Sequence, residues 1–342
     1  MRLVYATTVQ IPADDAQSVQ VQAMAQAFAG ILGSDFALVS PATPQNRAAR
    51  VPFRWVRLAL PRALPRALRY ALFLGRSIWA VSSFRPDVVY SRDIGVAALY
   101  HLFGFRAVYE MHKPFETTIG ERLFRWIGPR LSIVVISRAL KTYLLETYDL
   151  LSERIHVAHD GIAAAALQHR SGPRENAMPV AVYAGSFQKG KGVELVLAAA
   201  AQLPDVQFHL FGGVLPSSLP NVTIHGRILH ARVHEELLKA DILLLPATKE
   251  LPYYQYTSPL KLFEYMAAQR PIVSSNIGSI AEILNETNAF LFDPEERDGL
   301  ARALKRCLGE PASRREKAQA AWTDAHGYTW EQRAAKVLAF LA

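Results

Sequence analysis

The stretch Tyr256-Thr-Ser-Pro-Leu-Lys-Leu-Phe-Glu264-Tyr-Met-Ala-Ala-Gln-Arg-Pro-Ile-Val-Ser-Ser275 holds a turn, a helix and a strand in that order. Ser258 and Pro259 form the turn that opens the helix. The helix carries Glu264 and ends near Gln269, and Pro271 then leads into a short apolar strand, Ile272-Val273. Amides at a helix N-terminus favour an anion. A carboxylate on the same helix can accept hydrogen bonds from sugar hydroxyls. A nucleotide-sugar needs both. The plain alternative is an amphipathic helix ahead of a parallel strand.

The same alternation runs outward in both directions. In the first half, strands are expected at Leu3–Ala6, Phe36–Val39, Val88–Tyr90, Ala107–Glu110, Ile133–Ile136 and Ile155–Val157. Helical patterns lie between them at Ser18–Ile31, Arg66–Ser82, Gly95–Leu102, Gly120–Ile127 and Ser137–Thr147. A polar loop around Ser171-Gly172-Pro173-Arg174-Glu175-Asn176 interrupts the pattern and reads as a linker. Alternation then restarts, with strands at Val180–Ala184, Gln207–Phe211, Val222–His225, Ile242–Leu245, Ile272–Ser274 and Ala289–Phe292. Its helices are expected at Val193–Ala201, His230–Ala240, Leu260–Ala268, Ile280–Leu284 and Asp298–Leu308, with a last one over Trp330–Leu341. Strands alternating with helices predict parallel sheets. The fold class is therefore α/β, with two facing Rossmann-like domains. The expected bounds are 1–165, a linker over 166–178, 179–325, and a C-terminal helix in 326–342 that packs on the first domain.

Composition narrows the function. The 342 residues suffice for two cores. A single cysteine, Cys307, excludes an intrachain disulfide and suggests a reducing compartment. No metal-ligand spacing is present among the ten histidines, so no metal is expected. The apolar run after Met1-Arg2 is too short for a signal peptide, and no stretch is long and apolar enough to span a bilayer. The net charge of +8 is unevenly placed: Arg47 to Arg76 holds eight arginines and no acidic residue. Arg54, Arg57, Arg62 and Arg66 lie there among Phe53, Trp55 and several leucines. Arginine mixed with aromatics fits an anionic membrane surface. No recognition motif accompanies it, so nucleic acid is not the expected partner. A solvated basic face, broken by Pro61 and Pro65, is the plain reading.

The second half opens with Ala184-Gly185-Ser186-Phe187-Gln188-Lys189-Gly190-Lys191-Gly192-Val193, a strand end, a glycine-rich loop and a helix start. Loop amides with Lys191 can cradle a diphosphate. The Gly-Lys pair is not followed by Ser or Thr, so this is not a P-loop. Farther on come Phe211-Gly212-Gly213, His225-Gly226-Arg227-Ile228 and Ala240-Asp241-Ile242-Leu243-Leu244-Leu245-Pro246. In the first half, Val108-Tyr109-Glu110-Met111-His112-Lys113 places His112 at a strand end, as Val88-Val89-Tyr90-Ser91 does Arg92-Asp93 and Ile136 does Ser137-Arg138.

In order and wording, the segment from Val180 to about Leu308 resembles the donor-binding domain of family 4 glycosyltransferases, the group 1 type, which have the GT-B fold. His159-Asp160-Gly161-Ile162 is similar to that family's Pro-Asn-Gly-Val wording. The resemblance implies a retaining transferase that moves a sugar from a nucleoside diphosphate sugar, with no further cofactor. It implies that Gly185 faces the phosphates, Lys191 neutralises them, the backbone at Arg227 and Ile228 borders the base, Ser258, Pro259 and Leu260 lie near the diphosphate, and Glu264 takes the ribose. His112 matches a family histidine that touches the donor sugar, and Glu110 reads as buried support.

Two positions depart from the family pattern. Tyr256 stands where many members have the first Glu of E-x7-E, and Ser186 where many have Arg after the loop glycine. Lys189, Lys249 or Arg227 is expected to stand in for that missing charge. The N-terminal loop Ile11–Ser18 also lacks the usual glycines. The acceptor is expected to be a lipid-linked saccharide or glycan, since the arginine-rich stretch lies in the acceptor-side domain. That places the protein in the cytoplasm, peripheral on the inner face of the cell membrane, in surface glycan synthesis. The rival readings are a nucleotide-sugar epimerase of similar fold, with Glu110 and Glu116 as acid-base candidates, and a non-catalytic partner of a membrane glycan assembly.

Overall fold

A computed structural model describes the chain except for residues 14, 48, 49, 62, 169–171, 173, 175 and 251–254. Arg62 and part of the expected linker lie outside the described residues. The chain divides into two compact units, Met1–His159 with Trp330–Ala342, and Asp160–Thr329.

The first unit has seven parallel strands: β1 (Leu3–Ala6), β2 (Phe36–Pro41), β3 (Arg54–Leu58), β4 (Val88–Ser91), β5 (Arg106–Met111), β6 (Ser132–Val135) and β7 (Ile155–Val157). Their order is β3-β2-β1-β4-β5-β6-β7. The connecting helices are α1 (Ala16–Leu32), α2 (Pro44–Arg47), α3 (Arg66–Phe84), α4 (Ile94–Leu102), α5 (Thr118–Ile127) and α6 (Arg138–Thr147). β1, β2, β4 and most of β5 are buried on both faces, which is why they read as continuous apolar runs. An aromatic knot anchors this core, with Tyr5 edge-on to Tyr90 at 5.2 Å and Phe28 beside Tyr90 at 5.5 Å.

The second unit carries β8 (Val180–Ala184), β9 (Gln207–Phe211), β10 (Val222–Gly226), β11 (Ile242–Leu245), β12 (Ile272–Ser275) and β13 (Phe290–Phe292) in the order β10-β9-β8-β11-β12-β13, again parallel. Its helices are α7 (Val193–Gln202), α8 (His230–Leu237), α9 (Leu260–Ala267), α10 (Gly299–Gly309) and α11 (Pro311–Ala325), and α12 (Trp330–Leu341) returns to the first unit, where it packs on α1. Alternate residues of each strand enter separate cores. Val182, Leu243 and Leu245 meet α9 and α11 through Leu262, Met266, Ala321 and Ala325. Tyr183, Ile242 and Leu244 meet α7 and α10 through Val196, Ala199, Leu300 and Leu304.

Three elements differ from expectation. Residues 54–58 form β3, an edge strand paired to β2, where the sequence suggested only a basic amphipathic stretch. Trp55 is held there by its Nε1–H donating to Ser40 Oγ at 2.8 Å, with the Arg57 guanidinium 4.4 Å above its ring. The Ile280–Leu284 helix is instead a run of turns, with Leu284 N donating to Ile280 O at 2.9 Å. α11 went unforeseen because its buried side chains are alanines, Ala318, Ala321 and Ala325, which leave no apolar period to detect.

In each sheet the order reverses once, between β1 and β4 and between β8 and β11. Ligands of open parallel sheets bind outside the carboxyl ends of the strands at such a reversal. Arg92 and Asp93 follow β4, Gly185, Ser186 and Lys191 follow β8, and Ser258 and Glu264 lie beyond β11, whereas His112 follows β5 and Arg227 follows β10.

Candidate functional site

In the first unit, the segments after β1, β4 and β5 enclose a cavity of about 330 Å³ lined by Thr7, Thr8, Arg92, Asp93, His112 and Glu116, among others. Glu110 also lines it, at 1% exposure. Its Oε1 accepts from Arg333 Nη2 of α12 at 2.5 Å and from His112 Nε2 at 3.0 Å, and Tyr5 Oη donates to Oε2 at 3.4 Å. Arg333 Nε also donates to Ala158 O at 3.1 Å. Burial works against the Glu110 charge, but Arg333 and His112 outweigh it and hold the carboxyl well below its usual range. Burial, with Arg92 adding to it, pushes His112 down from 6.5 to about 4. The imidazole is therefore neutral at neutral pH. With the Nε2 proton assigned to the Glu110 bond, Nδ1 is left as an acceptor, 3.4 Å from Gln20 Nε2.

The neighbouring polar residues act mainly on the backbone. Asp93 caps α4 by accepting from Gly95 N at 2.9 Å and Val96 N at 3.1 Å, and it accepts from Tyr70 Oη at 2.6 Å. Ser137 caps α6 through Leu140 N at 3.1 Å. Glu116 is exposed and paired to Lys113 at 2.7 Å.

In the second unit the glycine-rich loop leaves β8 and is clasped by two other strand ends. Gly185 N donates to Phe211 O at 2.9 Å, and Thr248 N to Gly190 O at 3.1 Å. Gly192 has φ +71°, and a Cβ there would sit 1.5 Å from Pro246 O. Only glycine lets α7 start so close to the end of β11. A Cβ on Gly212 would likewise meet Gly185 O at 2.2 Å. Lys191 is partly buried in this loop, and burial lowers its pKa. Lys189 and Arg227 are exposed and Ile228 and Ser186 partly buried.

Helix α9 docks on the same loop. Tyr265 Oη accepts from Ala184 N at 2.8 Å, which ties the helix to the end of β8. One turn earlier, Lys261 lies with Nζ 4.1 Å above the Tyr183 ring and 2.9 Å from the point a Gly185 Cβ would occupy. Glu264, on the same helix, accepts from His230 Nε2 of α8 at 2.7 Å, and its side chain is 15% exposed. Ser258 is buried ahead of the helix, and Tyr256, Pro259 and Leu260 are partly buried.

The structure thus gathers Gly185, Ser186, Lys191, Ser258 and Glu264 on one loop and the helix docked to it. Lys249 is exposed and paired to Glu295 at 2.7 Å, so its charge is engaged elsewhere. Sequence reasoning assigns no role to Lys261, the lysine of the Thr-Ser-Pro-Leu-Lys-Leu-Phe-Glu wording, or to His230. A lysine three residues before Glu264 gives no periodic signal, and the His230 contact spans 34 residues. Arg54, Trp55 and Arg57 sit on β3 and Arg66 at the start of α3, so these residues share no single helix face. Among the described residues, no group of three His, Cys, Asp or Glu could hold a metal ion, and no helix is long and apolar enough to cross a membrane.

Residues 17–165 match the family model described as Glycosyltransferase Family 4, and residues 178–310 that described as Glycosyl transferases group 1. A glycogen synthase of Mycobacterium tuberculosis is 28% identical over 280 residues, which cover 70% of this chain and 64% of that relative. The chain thus spans less than two thirds of that relative's length. Sucrose-phosphate synthase from Thermosynechococcus elongatus superposes over 100% of this chain and 98% of its own, with TM-score 0.81 and 19% identity. Anabaena HepE in complex with UDP-glucose superposes over 99% of each chain, with TM-score 0.76 and 16% identity. Residues 17–165 and 178–310 thus match glycosyltransferase family models on a GT-B fold, which makes the chain a glycosyltransferase homologue.

Proposed function

We propose that the protein is a retaining, metal-independent glycosyltransferase that moves a hexose from a nucleoside diphosphate sugar to a lipid-linked or glycan acceptor. The observation that carries this reading is the glycine-rich loop with Lys191, set at the sheet reversal and joined to the helix that bears Glu264. In it, Lys191, the loop amides and the start of α9 neutralise the leaving diphosphate, and that electrostatic stabilisation is the protein's main contribution to the reaction. Glu264 takes the ribose hydroxyls, and the backbone at Arg227 and Ile228 borders the base. UDP-glucose bound to the similarly folded HepE supports a nucleotide-sugar donor. No second carboxylate is assigned as nucleophile, so displacement on one face of the sugar is the proposed route.

His112 is assigned to the sugar being transferred. Its neutral ring, fixed by Glu110, offers an acceptor rather than a charge. Incubation with a panel of UDP- and GDP-sugars, following free nucleoside diphosphate, tests the whole reading. Slow release without acceptor is expected, and His112→Ala should lower it while leaving nucleoside diphosphate affinity unchanged. Interconversion of the sugar would make the protein an epimerase, and binding without turnover a non-catalytic partner.

We further propose that the first unit rests on the inner, anionic face of the cell membrane, where it meets a lipid-linked acceptor for surface glycan synthesis. The arginine-rich stretch supports this, together with Leu68 and Trp79, which are 55% and 79% exposed on α3. Each basic residue near such a surface contributes about 1 kcal/mol, and salt screens that term. The protein should co-sediment with anionic vesicles, less at high salt and not with neutral ones, and replacing Arg54, Arg57, Arg62 and Arg66 with Gln should abolish most of it. Protein left in the supernatant with anionic vesicles at low salt would overturn the membrane assignment.

A further inference from the structure

Two lysines converge on the glycine-rich loop, and the proposed function uses only one of them. Lys191 comes from the loop itself, and Lys261 reaches it from α9. Lys261 is braced against the Tyr183 ring at 4.1 Å, an arrangement that favours its charged form. Its Nζ abuts Gly185, where a Cβ would come within 2.9 Å. The Gly185 backbone is thus the floor beneath the ammonium.

The surroundings disfavour that charge in the free protein. Burial and then repulsion from Lys191 hold Lys261 well below the usual lysine range, opposed by Glu264. The Glu264 carboxylate, however, is engaged by His230 at 2.7 Å. Near the same helix start, the buried Ser258 hydroxyl has no hydrogen-bond partner among the described residues. Two cations and an unsatisfied buried hydroxyl around one loop are what a ligand with several anionic oxygens would complete.

We propose that Lys261 is a second diphosphate-binding cation of the donor site, supplying from α9 the positive charge that Ser186 does not supply from the loop. This rests on the donor-site reading given above. Ser258 donates its hydroxyl to the same phosphate group. The diphosphate is held from two sides, by Lys191 on the loop and by Lys261 on the helix, and the helix also carries the ribose-binding Glu264. One rigid turn of α9 then sets the spacing between phosphate and ribose.

Calorimetric titration with UDP, GDP and the matching monophosphates tests this on the parent, Lys261→Met and Lys261→Arg. Lys261→Met should weaken nucleoside diphosphate binding roughly ten- to a hundredfold and shrink the preference for diphosphate over monophosphate. Lys261→Arg should keep most of both. Without ligand, Lys261→Met should melt no lower than the parent, since it removes a disfavoured charge. Should Lys261→Met not fold, Lys261→Gln, which keeps a polar head, gives the same readout. A folded Lys261→Met or Lys261→Gln protein that binds the diphosphate as tightly as the parent overturns the assignment and leaves the donor site standing. A parent that binds neither UDP nor GDP overturns both.

Discussion

Replacing Arg333 with Met is expected to destabilise the first unit by about 3–5 kcal/mol. The guanidinium is 3% exposed and meets Glu110, itself 1% exposed, at 2.5 Å. Without it, Glu110 must either remain charged in the core, hydrogen-bonded to the neutral His112 ring and Tyr5, or take up a proton. Both alternatives are costly because an ion in a low-dielectric interior has lost its hydration. Arg333 also joins α12 to Ala158, so the last helix should detach more easily. Urea unfolding followed by circular dichroism would read this as a lower midpoint. A midpoint unchanged from the parent would show that the pair contributes nothing. The double variant Glu110→Gln with Arg333→Met should recover part of the loss, because it removes both buried charges together.

That pair also marks what the sequence could not reveal. Glu110 and Arg333 lie 223 residues apart, and nothing local to either residue names the other. The strand ends were legible because they follow from short-range patterning: Val180–Ala184, Gln207–Phe211 and Ile242–Leu245 have the bounds their apolar runs predict. Such runs stand out when both faces of a strand are buried. β3 has an exposed Arg54 and a half-buried Trp55 and Arg57, so its alternation resembled a basic amphipathic segment. An edge strand with charged side chains is a common defence against pairing with other chains. The glycine loop was legible for a different reason. Gly192 and Gly212 are forced by close backbone approaches, and such positions punctuate a sequence. Lys261 was hidden because it lies in a helix whose apolar face alone explains its pattern. Its meaning comes only from the docking of Tyr265 on β8.

Lys191→Ala should lower kcat/KM for the donor by about ten- to a hundredfold with the fold intact. The lysine follows Gly190 and precedes Gly192, which a close approach to Pro246 O fixes in place. Its position is therefore set by the backbone and not by its own side chain, so truncation should not move the loop. A charge-assisted contact to phosphate contributes about 1.5–3 kcal/mol. Each 1.4 kcal/mol is a tenfold change in rate, which gives the stated range. Charge on the leaving diphosphate grows as the glycosidic bond breaks, so the loss should appear in kcat as well as in KM. Glu264→Gln provides the contrast. An amide accepts less well from two hydroxyls, so nucleoside diphosphate affinity should fall. The effect on kcat should be smaller, since the ribose is unchanged during the reaction. Steady-state donor hydrolysis for both variants, with calorimetry for affinity, separates the two roles. Parent-like kinetics in Lys191→Ala would remove the lysine from the phosphate site. Parent-like affinity in Glu264→Gln would leave that carboxylate only its contact with His230, and therefore a structural part.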